Sequence, residues 1–131
     1  MKTEQKISSC YDDVATKCAI GYFHGCVKHD DFVIVANKLL DIIGKNKYQK
    51  QINDVSKMDI LAMQTQLYLK KEWFPTAKKL GLKYFAFVVS ENDYGKLSTE
   101  NANRGASQEF DMEIQYFNSI VTARMWLNTK K

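Results

Sequence analysis

Tyr84-Phe85-Ala86-Phe87-Val88-Val89 is an unbroken apolar run held between Lys83 and Ser90. It is too short for an ordinary helix and has no polar position that would face water. A strand covered on both faces needs such a run, because alternate side chains enter two separate apolar layers. The stretch predicts the middle of a sheet with helices packed against it.

Downstream, residues 91–108 are rich in Asn, Ser and Gly and predict a short helix starting near Ser98. Phe110, Met112, Ile114 and Tyr116 then alternate with Asp111, Glu113 and Gln115, the period of a strand buried on one face. Asn118 offers an N-cap to a closing helix through Ile120, Ala123 and Leu127.

Upstream, Ile60, Met63, Leu67, Phe74 and Ala77 predict a helix over 59–80, with Gly81 as its stop. Pro75 lacks an amide hydrogen and should interrupt that helix near Lys71. Tyr48 to Asn53 reads as a strand. Phe32, Ala36, Leu39, Leu40 and Ile43 predict a helix over 30–43, with Asp30 and Asp31 on its positive end and Gly44 as its stop. Lys6 to Tyr11 and Val14 to His24 read as two strands joined by a turn at Asp12-Asp13. The order is β-β-α-β-α-β-(α)-β-α. It predicts one α/β domain over 1–131, with a mostly parallel five-stranded sheet and an antiparallel edge strand.

The chain has 131 residues, of which 45% are apolar, 12% aromatic and 26% charged, an ordinary soluble composition with enough apolar surface for one core. No stretch has the roughly 20 apolar residues of a membrane span, and the first residues do not resemble a signal peptide, so the expected compartment is the cytoplasm. The net charge of +4 comes almost entirely from lysines, with Arg104 and Arg124 the only arginines, so nucleic acid is not an expected partner. Cys10, Cys18 and Cys26 lack metal or redox spacing and read as reduced, mostly buried thiols.

Glu72-Trp73-Phe74-Pro75, the segments Gly81 to Val88 and Tyr94 to Asn101, and Phe117-Asn118-Ser119 with Ala123 and Trp126-Leu127 resemble a group of uncharacterised bacterial STAS-like and SEC14-like proteins, relatives of the anti-sigma-factor antagonists. The resemblance runs from about Ile7 to the end and implies a STAS-like fold. In the phosphorylatable members an Asp-x-Ser segment precedes an Asp-Ser-Ser-Gly loop. Asp54-Val55-Ser56 is similar to the first part, while Ala62-Met63-Gln64-Thr65 lacks the second, so no phospho-switch is expected, with Ser56 and Thr65 as weak substitutes. The resemblance to lipid-binding SEC14-like domains implies that 91–108 could act as a cover.

Two functional readings follow. The first is a non-enzymatic regulatory module whose docking loop is Asp54, Ser56, Lys57 and Asp59, meeting an unknown protein partner. The alternative is a carrier of an apolar small molecule or lipid, with Trp73, Phe74, Tyr94, Lys96 and Glu100 at the pocket or its cover. His24, Cys26 and His29 form the one cluster with metal-ligand or nucleophile chemistry, and it lacks further ligands or an orienting group. Asp54, Asp59, Asp93 and Glu100 could gather at strand ends. No glycine array cradles a phosphate. Neither a metal, a cofactor nor a catalytic residue is expected, and homodimerisation through a sheet edge or helix face stays open.

Overall fold

In the computed structural model, which describes residues 8–90 and 94–130, strands β1 (Ser9–Asp13), β2 (Cys18–Gly25), β3 (Lys50–Met58), β4 (Tyr84–Val88) and β5 (Glu113–Phe117) hydrogen-bond in chain order. β1 is antiparallel to β2, and every later neighbouring pair is parallel. Helix α1 (His29–Asn46) links β2 to β3, and α2 (Met63–Tyr68) with α3 (Phe74–Leu80) links β3 to β4. Helices α4 (Tyr94–Asn103) and α5 (Ala106–Phe110) link β4 to β5, and α6 (Ile120–Asn128) follows.

Each parallel crossover steps one strand in the same direction, and crossovers of one hand must then share one face of the sheet. Accordingly, Phe32 and Leu39 of α1, Phe74 of α3, Ala102 of α4 and Ala106 of α5 pack together with Phe23, Phe85 and Phe87. On the other face, among the described residues, α6 covers Ile20, Ile52 and Ala86, using Ala123 and Leu127. The sheet therefore divides the expected single core into a large and a small half. β4 is buried at all five positions, as its sequence requires, but the central strand is β3.

Several element boundaries differ from the sequence reading, each for a local reason. Asp12 and Asp13 lie in β1, and the turn is Val14 to Lys17, with Lys17 at φ 57°. The acidic pair is held in the strand by partners: Tyr48 donates to Asp12 at 2.6 Å, and Arg124 to Asp13 at 3.0 Å. Helix α1 runs through Gly44, whose bare Cα faces Leu80, and stops instead where Lys47 turns left-handed at φ 57°. The second long helix is broken as Pro75 demands: the turns over Leu69–Trp73 widen to π geometry, and the Phe74 amide reaches back to the Leu69 carbonyl. Gly81, at φ 106°, ends α3 as expected. Ser119, not Asn118, caps α6 by accepting from the Thr122 amide at 3.2 Å.

Gly21 of β2 and Gly44 of α1 call for opposite responses to the same change. A Cβ at Gly21 would lie 2.9 Å from Leu39 Cδ1 and 3.0 Å from Asn53 Oδ1. Gly21→Ala should therefore lower unfolding free energy by roughly 1–3 kcal/mol through overpacking. At Gly44 the nearest side-chain atom is 3.4 Å away, an ordinary contact. Gly44→Ala should raise it by about 0.5–1 kcal/mol through helix propensity. Urea midpoints of the two variants measure both signs.

Candidate functional site

Asp54, Ser56 and Lys57 belong to the second half of β3 rather than to a loop. Tyr22 pairs with Asp54 but His24 pairs with Lys57, so β3 carries one residue more than β2 across this step, a β-bulge. Asp54 Oδ1 accepts from the Ser56 amide at 3.1 Å and from the Ser56 hydroxyl at 2.7 Å, which gives the bulge a local acceptor. Lys57 and Asp59 are exposed, and the Asp59 amide donates to the Gly25 carbonyl at 2.9 Å. Thr65 is buried, its hydroxyl 3.0 Å from His29 Nδ1.

That contact takes His29 away from the other members of its sequence cluster. Its ring packs edge-on to Tyr68, while the His24 ring lies beside Tyr22 and Cys26 is exposed. No group of three metal-ligating side chains assembles among the described residues. The thiols are not mostly buried: Cys18 is, Cys10 is half-buried and Cys26 is open. Burial, reinforced by Asp13, pushes the Cys18 thiol up to about 12, and burial also raises Cys10.

The five pocket or cover residues divide between two places. Trp73 and Phe74, aimed inward by the π turn, line a partly enclosed cavity of about 20 Å³ between the helices and the sheet. The Trp73 indole is fixed by donating to the Ala36 carbonyl at 3.0 Å. Lys96 and Glu100 line a separate open cleft of about 400 Å³ beside Tyr116, Phe117 and Thr122. Tyr94 opens α4, but its side chain lies outside the described residues, as does Asp93 of the acidic quartet.

The helix-period stripe of the sequence breaks across the π turn. Phe74 and Ala77 are buried, but Ile60 and Met63 are each 61% exposed and Leu67 46%, with Leu61, Thr65 and Gln66 taking the inward positions. Leu97 of α4, 60% exposed, is a further apolar residue facing water. It sits near the same corner, because Ser98 accepts from the Leu61 amide at 2.8 Å and Asn101 donates to Gln66 at 2.7 Å. The sequence reading put Ile60, Met63 and Leu67 at one helical spacing with Phe74 and Ala77. Pro75 was the one available sign that their phase would not carry through.

Neither the protein-family models nor the curated proteins include a match to the sequence. Among solved structures, an uncharacterised protein of the DUF3478 family with a SpoIIAA-like fold, from Shewanella loihica PV-4, superposes with a TM-score of 0.62. The match covers 97% of this chain and 98% of that one at 17% identity. The chain has a SpoIIAA-like fold. At that identity the likeness establishes the STAS-like architecture and leaves function to be argued from this chain's own residues. Within the SpoIIAA-like frame, strands in chain order give no reversal point at which an open α/β sheet would form its usual ligand crevice. No helix among the described residues is long and apolar enough to cross a membrane.

The thiol environments predict a graded reactivity. At pH 8 a disulfide reagent should modify Cys26 in one fast phase that Cys26→Ser removes. Cys18, kept protonated by its raised pKa, should react only as the protein unfolds. Stopped-flow absorbance resolves the phases, and rapid modification of Cys18 would contradict the burial described.

Proposed function

We propose that this SpoIIAA-like chain is a non-enzymatic regulatory module of the cytoplasm that docks a protein partner at the corner where β3 leads into α2. The supporting observation is the outward placement of Ile60, Met63 and Leu67 together with Leu97 on the neighbouring α4. Exposed apolar side chains grouped at one site are characteristic of interaction surfaces. Lys57 and Asp59, exposed at the end of β3, supply charged groups of both signs at its rim. Asp54 and Ser56 contribute by shaping the bulge that sets the direction of the chain into this surface. The turning of His29 toward Thr65, away from the open cleft that His24 and Cys26 share, supports the non-enzymatic reading, and three free cysteines suit a reducing compartment.

Met63→Glu combined with Leu97→Glu tests the reading. Both positions are exposed, so unfolding free energy should change by no more than about 0.5 kcal/mol for each. Cross-linked partners recovered from the source cells with the parent protein should be lost with the double variant. Recovery of the same partners by both proteins would place docking elsewhere.

A further inference from the structure

The underside of α4 does not match what it faces. Phe23, Phe32, Phe85 and Phe87, with Trp73 of the π turn and Phe74 of α3, line the same partly enclosed cavity as Thr99, Ala102 and Asn103 of α4. A helix over such a floor ordinarily presents large apolar side chains. The buried positions of α4 are instead Ser98, Thr99, Ala102 and Asn103, while Leu97 faces solvent.

Thr99 adds an independent sign. It is 3% exposed and borders the cavity, and its hydroxyl has no hydrogen-bond partner among the described residues. Buried hydroxyls in folded proteins are nearly always satisfied, and in a helix the usual acceptor is a carbonyl one turn back. No charged side chain among the described residues lines this cavity. A guest entering it charged would be stripped of water with nothing to compensate.

We propose that the space between α4 and the aromatic face of the sheet is a binding site for one small, uncharged aromatic molecule bearing a single hydrogen-bonding group. Its ring lies among the phenylalanines and Trp73, and its polar group hydrogen-bonds to Thr99 Oγ1. In the structure described the cavity of about 20 Å³ has room for one water molecule. The guest therefore enters as α4 shifts outward. The contacts that hold α4 suit such a shift, because many are polar and exchangeable with water: Ser98 to the Leu61 amide, Asn101 to Gln66, and Asn103 to the Tyr116 hydroxyl at 3.2 Å. The proposal does not rest on the docking reading, although α4, which carries Leu97, takes part in both.

The test titrates the full chain with phenol, toluene and benzoate while following amide and indole signals by two-dimensional nuclear magnetic resonance. Trp73 borders the cavity and Trp126 packs on the opposite face of the sheet, so the second indole is an internal control. Phenol should move the Trp73 indole and the α4 amides and leave Trp126 unmoved, and benzoate should move neither. Thr99→Val should weaken phenol about tenfold, the loss of one hydrogen bond to a buried hydroxyl, and leave toluene unchanged. Thr99→Ser keeps the hydroxyl and should keep phenol binding, and Ala102→Leu should fill the cavity and abolish it. The proposal is overturned if neither phenol nor toluene moves Trp73, which would leave a water site only. It is equally overturned if benzoate binds as well as phenol, or if a folded Thr99→Val variant retains full phenol affinity.

Discussion

Pro75 has no amide hydrogen to offer the carbonyl of Lys71, and its ring would collide with that carbonyl in a regular helix. The chain widens into π geometry over Leu69–Trp73. One extra residue in a helix rotates everything before it by about 100° relative to everything after it. Trp73, Phe74 and Ala77 consequently face the sheet, whereas Met63 and Leu67, which share their stripe in the sequence, face water. The aromatic floor of the cavity and the apolar corner at α2 are thus two results of one constraint. Trp73 secures the arrangement from the other side through its bond to the Ala36 carbonyl in α1.

The central strand is the least apolar of the buried ones. Gln51 and Asn53 of β3 sit on the helix-covered face, the Gln51 amide donating to Asn53 at 2.9 Å. Gln51 Oε1 has no partner among the described residues, a cost borne inside the core. Gly21, opposite Asn53 in β2, leaves the space that the Asn53 side chain and Leu39 occupy. A few residues further on, the bulge and the Asp54–Ser56 hydrogen bonds end the regular ladder and send the chain toward α2.

Much of the architecture was legible in the sequence because its signals act locally. The run Tyr84 to Val89 required a doubly covered strand, Gly81 a helix end, and Pro75 an interruption, and each is found where it was read. What was not legible depends on partners distant in sequence. Asp54, Ser56 and Lys57 look like loop residues, since nothing nearby reveals that β2 supplies hydrogen-bond partners through Met58. Gly44 looks like a stop until Leu80 is seen against it. The outward turn of Met63 and Leu67 needed the size of the π insertion, and the unsatisfied Thr99 hydroxyl is a property of a space between elements that no single segment encodes.

Strands that pair in chain order also bear on synthesis. No strand of this sheet waits for a later one to be inserted between it and its neighbour. A nascent chain that has emerged through Val88 already contains β1 to β4 with α1, α2 and α3, while α4 and α5 of the same face are still to come. Domains generally fold as the ribosome delivers them, from the N-terminus onward. Here that direction of delivery is also the direction in which the sheet widens. The edge of β4 is the one left open until β5 emerges, and α6, which must seal the opposite face, arrives last.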